Sequence, residues 1–530
     1  METPQTPGTT PAADTAQSYA DLPQRQAVVL LLSILVVALC GIVYQLIIGT
    51  VSSYLLGNSV FQFSMTIGFF MFAMGVGSYL SRFFNTHVIE SFVYVEMALA
   101  VVGGICSITL FLIFPFAPWL YTTAMFSFIF VIGVLVGLEI PLLTRVLAER
   151  SGTRRSIADV MSLDYVGALI GSVSFPLLLL PSLGLITSSF AIGLINIAVA
   201  LLSVIWLRDH LRRPGLMAAA VVAILVALIV LTAAASRITA HAQQHLYFDR
   251  IVWSKQTPYQ NLVVTRNWRQ DDLRLFIDGH IQFSEYDEHR YHEALVHPAM
   301  ASGPAAKIVL VLGGGDGLAV REILKYPSVE RIDLVDIDPD MTRLGSEFAP
   351  LVKMNGNSLA SPKVHIHNAD AFNFVQTAPV KYDRVIIDFP DPHNEAISKL
   401  YSTEFYALVA GVLAADAVIV TQSSSPYVVR RSFWTVRRTM EEVFDRTGSF
   451  HITVPAFGIW GFHMAFKGAA GDLGPLPVGL KFLSPDVLAA GRVFANDTSR
   501  PKGLAPNSIF TPNLYDIYRL DLDGGPFREG

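Results

Sequence analysis

The hydrophobic pattern divides the chain in two. Between residues 27 and 235 apolar residues run in long blocks with few charges, and after residue 245 they break into short runs separated by turn residues. A helix needs about 20 apolar residues to cross roughly 30 Å of hydrocarbon. Blocks of that length cover residues 27–50, 61–80, 92–116, 120–143, 160–181, 186–207 and 216–235, which predicts about seven membrane spans. Small residues inside them, such as Gly75, Gly77, Gly167 and Gly171, predict close helix contacts in a tight bundle. The first block is too long, and its small-residue pattern too poor, for a cleaved signal, so a retained span is expected. Residues 1–26, rich in Thr, Pro, Ala and Gln, read as a disordered tail.

The second half has a different period. Runs at 251–253, 262–265 and 273–276 read as strands, with Asp278-Gly279 as a hairpin turn, and residues 286–300 read as a helix. Strands are then predicted at 307–312, 331–336, 364–367, 384–388 and 417–421, with helices at 318–325, 339–348 and 402–413. Such alternation implies a doubly wound parallel sheet. The expected plan is thus an α-helical transmembrane bundle followed by an α/β Rossmann-like domain of methyltransferase type, with a small β-hairpin region at its start. Its parts are a tail (1–26), the bundle (27–235), a linker and hairpin substrate region (236–300), the catalytic domain (301–470) and a C-terminal extension without a readable motif (471–530).

Composition supports the membrane half. Hydrophobic residues make up 52% of the chain and charged residues 15%, against about 25% charged in an ordinary soluble protein. A net charge of −5 gives no footprint for nucleic acid. Cys40 and Cys106 both lie in apolar blocks, which argues against a disulfide framework or a cysteine metal site. Arg145, Arg150, Arg154 and Arg155 follow the fourth block, and Arg208, Arg212 and Arg213 the sixth. Positive loops stay in the cytoplasm, so seven spans would put the C-terminal half outside. The cytoplasmic origin of the ligands argued below pulls the other way. The expectation adopted is a multi-pass protein of the cell (inner) membrane with a cytoplasmic catalytic domain. Three acids, Glu96, Glu139 and Asp164, fall at or near membrane depth; an interfacial ion pair with Arg145 is the simplest account of Glu139, and a proton or cation pathway is the alternative.

Chemistry enters at the strand ends, where ligands bind in such sheets. The first strand runs into Gly313-Gly314-Gly315-Asp316-Gly317, whose glycines let backbone amides approach a ligand. Asp316 would repel a phosphate or carboxylate there and attract an ammonium. The second strand ends in Asp336-Ile337-Asp338, an acid at the spacing that suits ribose hydroxyls. Asn368-Ala369-Asp370-Ala371 could take an adenine amino group, and Asp388-Phe389-Pro390-Asp391-Pro392 brings two carboxylates to the place of reaction. The ligands of so acidic a site should be cations.

These residues resemble the polyamine aminopropyltransferases, the spermidine synthase family, over about residues 250–470. The resemblance rests on Tyr259-Gln260, Asp278-Gly279-His280-Ile281-Gln282, Asp287-Glu288, Tyr291-His292-Glu293, the GGGDG run and Asp388-x-x-Asp391-Pro392. The whole chain resembles the membrane-bound subgroup in which a multi-span region precedes the enzyme. It implies transfer of the aminopropyl group of decarboxylated S-adenosylmethionine to putrescine or a related diamine, giving a spermidine-type polyamine and methylthioadenosine. It also implies roles: Asp388 as general base, Asp391 as a carboxylate holding the amine, and Asp316 as the acid on the donor's aminopropyl end. Gln260 and Gln282 would line the cleft, Tyr291 and His292 would face the reacting amines, and Gly313, Gly314, Gly315, Asp336, Asp370 and Ala371 would hold the nucleoside. The partners are a small-molecule amine, a sulfonium nucleoside, the lipid bilayer and, by analogy, a second copy in a homodimer. No metal or cofactor is expected beyond the co-substrate.

Two departures concern the acceptor. His393-Asn394 stands where the soluble synthases have a glycine-proline turn, and Phe457 stands where they offer a tyrosine hydroxyl. Two other functions fit the residues less closely: an S-adenosylmethionine-dependent methyltransferase, and a non-catalytic polyamine sensor or transporter.

Overall fold

The computed structural model describes residues 19–524 apart from 21, 57–58, 469–470 and 472. The predicted tail lies largely outside them. The chain forms two compact units, Met1–Phe248 and Asp249–Gly530.

The first unit is helical: α1 (Gln24–Leu56), α2 (Ser59–Leu80), α3 (Val88–Phe116), α4 (Pro118–Ser151), α5 (Thr153–Ser174), α6 (Leu180–Trp206) and α7 (Pro214–Gln244). Six helical segments among the described residues are long and apolar enough to cross a membrane, not the seven expected. The difference lies at the fifth and sixth blocks. There α5, a π-helical turn at Phe175–Leu179 and α6 run on as one 54-residue segment, Thr153–Trp206. The backbone nevertheless breaks at Gly184, whose φ of 70° and ψ of 179° are not helical. The two limbs run in opposite directions. On α5, Gly167 meets Leu35 and Gly171 meets Leu39, so α5 is parallel to α1, whereas on α6 Ser189 meets Gly104 and Gly193 meets Ala100, so α6 is antiparallel to α3. Helix α4 opposes both α1 and α3, since Val136 meets Gly41, Met125 meets Ser52, and Tyr121 packs on Phe114. Close approach through glycine is general: a Cβ at Gly77 would lie 2.2 Å from the Val134 carbonyl oxygen and one at Gly167 2.1 Å from that of Leu35. Gly75, by contrast, faces open space. Residues 236–244 continue α7 rather than forming a linker.

The second unit opens with an antiparallel sheet in the order β1 (Arg250–Gln256), β2 (Asn261–Arg266), β3 (Leu273–Ile277), β4 (His280–Ser284). Asp278 and Gly279 make the two-residue turn, both with positive φ (49° and 82°), the requirement of a type I′ hairpin. The helix Glu288–Met300 leads into a seven-stranded sheet made of β5 (Ile308–Gly313), β6 (Arg331–Asp336), β7 (Val364–Asn368), β8 (Tyr382–Asp388), β9 (Leu413–Gln422), β10 (Arg446–Val454) and β11 (Gly458–Phe466). Its order is β10-β11-β9-β8-β5-β6-β7. Strands β5 to β9 are parallel, and β11 and β10 close one edge as an antiparallel hairpin. That hairpin and the amphipathic helix Arg430–Met440 before it are not in the predicted series. The central strands are buried on both faces, which is why they read as continuous apolar runs. From β5 the chain winds outward through β6 and β7, then crosses to β8 on the other side of β5. A crevice opens at such a switch point, beyond the strand ends.

Candidate active site

A cavity of about 410 Å³ occupies that crevice. Gly313 at the end of β5 is in register with Asp388 at the end of β8. Their backbones pass so closely that a Cβ on Gly313 would lie 2.1 Å from the Asp388 carbonyl oxygen, and the φ of 81° at Gly313 also excludes a side chain. Gly315 donates its N–H to the Asp336 carboxylate at 3.0 Å, and a Cβ there would strike the same oxygen at 2.5 Å. The glycines therefore bind the loop to the acids of the neighbouring strands while leaving its open side to a ligand.

The cavity brings together most of the residues singled out from the sequence: Gln260, Gln282, Tyr291, His292, Gly313, Gly314, Gly315, Asp316, Asp336, Asp370, Ala371 and Asp388. Each is held by its neighbours. Gln260 donates to Asp338 (2.9 Å), Gln282 to the His280 carbonyl (3.1 Å), and the Tyr291 hydroxyl to Asp388 (2.5 Å). Asp370 caps the helix Ala371–Thr377 through the Phe372 N–H at 2.7 Å and pairs with Lys399. Asp391 differs: it does not line the cavity. Its carboxylate accepts hydrogen bonds from the Ser424 hydroxyl (2.6 Å) and the Tyr518 hydroxyl (3.0 Å).

The electrostatics follow from burial. It pushes Asp388 up to about 6 and Asp336 up to about 7, with neighbouring acids adding to both. Asp316 is raised for the same reason, while the charge of His292 opposes the rise. Burial works against a charged His292 as well, but the Glu288 carboxylate at 2.9 Å more than offsets it and holds the imidazole up to about 9. Glu288 is itself fixed by Arg321 through two 2.9 Å hydrogen bonds. A cationic histidine thus sits among three acids, and a bound cation would lower all of their pKa values.

Sequence reasoning missed one residue that contacts the site's acids. Tyr518 lies on the helix Leu514–Gly524, in the extension where no motif was readable. His280 and His393 pack their rings 4.7 Å apart beside the cavity, and burial, then the charge of His280, depresses His393 to about 4. Phe457 meets Tyr291 edge-on at 6.0 Å. The pairing of Tyr518 with Asp391 spans 127 residues, so no local pattern could have signalled it.

Comparison with known proteins agrees with this geometry. Residues 288–471 match the spermine/spermidine synthase domain. The chain is 42% identical to polyamine aminopropyltransferase 1 of Ralstonia nicotianae over 523 residues, 97% of this chain and 99% of that protein. It is 42% identical to the polyamine aminopropyltransferase of Leptospira interrogans over 89% of this chain and 94% of that protein. Among solved structures, a spermidine synthase in complex with the transition state analogue AdoDATO is 28% identical, with a TM-score of 0.43, and the match covers 47% of this chain and 86% of that one. Full-length likeness at this identity, on a chain whose acids converge on one switch-point cavity, means that the protein belongs to the polyamine aminopropyltransferase family.

Proposed function

We propose that the cavity acts through Asp388 as the base, with Asp316 reading the cationic tail of the donor and Asp336 the ribose. The chain is an aminopropyltransferase: it moves the aminopropyl group of decarboxylated S-adenosylmethionine to putrescine or a related diamine. The observation that carries the proposed roles is the convergence of Asp316, Asp336 and Asp388 on one cavity. The acceptor nitrogen attacks the carbon next to sulfur, the C–S bond breaks, and its electron pair neutralises the sulfonium as methylthioadenosine leaves. That attack needs a free lone pair, so Asp388 takes a proton from the acceptor's ammonium as the N–C bond forms, and the product nitrogen carries the positive charge that the sulfonium gave up. With the full chain, one methylthioadenosine should appear per spermidine formed. Methyl transfer from intact S-adenosylmethionine would instead favour the methyltransferase reading.

Donor binding should release protons. Asp388 titrates near 6 and Asp336 near 7 in the unliganded protein. A sulfonium stabilises the ionised forms, so affinity should be full above about pH 7 and fall as the pH drops through both values, by up to about tenfold per unit per group. Calorimetry in buffers of different ionisation enthalpy should register the released protons near pH 6. A binding enthalpy independent of buffer would contradict this.

Asp391 we assign to the acceptor end, acting from behind the cavity wall, with Tyr518 as its positioning residue in the absence of a hydroxyl at Phe457. Losing one hydrogen bond to a charged group costs about 1.5–3 kcal/mol. Tyr518→Phe should accordingly raise the KM for the diamine by roughly ten- to a hundredfold and leave the KM for the donor unchanged. An equal rise in both would mean that Tyr518 only supports the fold.

The membrane reading rests on length and apolarity. At about 1.5 Å per residue, the 54-residue segment Thr153–Trp206 is too long for one crossing of about 30 Å. Its reversal at Gly184 favours two crossings, hence seven in all. Carbonate extraction tests insertion. We keep the catalytic unit in the cytoplasm because its donor is made there, although span parity and the arginine-rich even loops oppose this placement. Protease added to right-side-out vesicles should leave the C-terminal tail intact, and its cleavage would put the unit outside. The analogy with the soluble synthases also suggests a homodimer, which light scattering would register as twice the chain mass.

A further inference from the structure

The chemistry left over lies inside the helical unit. Glu96 on α3 is fully buried and Glu139 on α4 is 2% exposed. Among the described residues, none of their carboxylate oxygens has a hydrogen-bond partner. The two carboxyl groups nonetheless lie within hydrogen-bonding reach of each other. Carboxylate oxygens only accept hydrogen bonds, so that geometry requires a proton on one of them. Two ionised carboxylates in contact would repel one another in a medium that screens poorly.

Among the described residues no base pairs with either carboxyl group. The chain has no lysine before Lys255. Arg145, expected to pair with Glu139, donates instead to the Phe84 carbonyl (3.1 Å) and the Ser81 hydroxyl (3.0 Å). Other titratable groups near the pair come from α1 and α5. Cys40 and Tyr44 on α1 lie in its field, and Asp164 on α5, half-buried, interacts with Glu139. A second observation does not depend on the acids. Asn196 on α6 is fully buried, its amide nitrogen donates to the Tyr44 hydroxyl at 3.3 Å, and its oxygen has no partner. Gly193 meets Ala100, and one turn further along the antiparallel α6 and α3 Asn196 comes level with Glu96, so a vacant acceptor stands at the height of the carboxylates. At about 1.5 Å per residue, Glu96 lies about 12 Å along its helix from Val88, within the apolar layer rather than at its edge.

An ionised, unpaired carboxylate in such an interior costs several kcal/mol, whereas a shared proton removes one charge and supplies the missing donor. We propose that Glu96 and Glu139 form a proton-binding site inside the helical unit, with Asp164 as the acid through which protons reach it. The site is independent of the aminopropyl transfer, and its resident ligand is the hydrogen ion.

The test uses the full chain in detergent and dicyclohexylcarbodiimide, which takes the proton of a carboxylic acid in an apolar setting and leaves a stable acylurea on the residue. Peptide mapping should find the label on Glu96 or Glu139 at neutral pH. Above the pair's own pKa it should fall about tenfold per pH unit. Sodium ions or spermidine should not protect the site; protection by either would mean that it holds that cation rather than a proton, and would overturn the proposal. Infrared spectroscopy covers the case in which the reagent cannot reach the pair. A carboxylic C=O stretch should be present and should vanish in the Glu96→Gln, Glu139→Gln double variant. Absence of both label and stretch would overturn the proposal. Asp164→Asn should slow the deuterium shift of that stretch, and an unchanged rate would remove Asp164 from the path.

Discussion

Replacement of Asp388 by Asn is expected to lower kcat by about 10²–10⁴-fold, the usual contribution of a positioned general base. Asparagine keeps the shape and still accepts the hydrogen bond that Tyr291 donates at 2.5 Å, so the fold and the cavity should survive. It cannot accept a proton from the attacking nitrogen. Asp388 is one of several acids lining the cavity, so the affinity for the donor should change by less than about tenfold, the worth of a weak charge–charge contact in a partly screened site. Rate and binding should therefore separate. In the unmodified protein the same base should make kcat/KM rise with pH through about 6, because Asp388, raised by burial, must be ionised to act. The raised His292 loses its charge only near 9, so its titration belongs to a second, alkaline limb. Loss of donor binding in step with loss of rate would mean that Asp388 is a binding group and not the base.

Asp316→Asn should change which donor the site accepts. Decarboxylated S-adenosylmethionine ends in an ammonium alone, whereas the intact form adds a carboxylate. At 4 Å and an effective dielectric of about 20, two like charges repel by about 4 kcal/mol, more than any single neutral hydrogen bond could recover. Asp316 is 8% exposed, so water screens it little. The variant should bind the decarboxylated donor roughly 10- to 100-fold more weakly, as for the loss of a charged hydrogen bond. Its preference over the intact donor should shrink by a larger factor, because the repulsion disappears with the attraction. The Asp316 carboxylate also accepts from the Leu318 N–H at 2.8 Å, a bond the asparagine oxygen can keep, so the loop should hold its shape.

The sequence made much of the catalytic unit legible for a physical reason. Strands such as β5 and β8 are buried on both faces, so their apolar runs stop abruptly at the polar residues that meet the ligand. Gly313, Asp316, Asp336 and Asp388 could be read as a site because a parallel sheet delivers successive strand ends to one crevice. The bundle was less legible. Apolar blocks give length but not direction: the gap between blocks 160–181 and 186–207 marked a break, and the reversal of direction at Gly184 showed only in the packing. Arg145, six residues on from Glu139, suggested an ion pair, although in space the arginine turns to Ser81 and Phe84. The antiparallel β10–β11 edge and Tyr518 were invisible for a third reason. Their partners are distant in sequence, and an amphipathic C-terminal helix carries no mark of the carboxylate that one of its tyrosines meets.

An acidic cavity that selects its donor by the positive charge at the tail must discriminate between the two forms of S-adenosylmethionine. Calorimetric titration of the full chain with decarboxylated and with intact S-adenosylmethionine, at neutral pH and the same salt, tests it most directly. The decarboxylated donor should bind at least about tenfold more tightly, a modest fraction of the about 4 kcal/mol repulsion. Equal affinity, or preference for the intact donor, would contradict it.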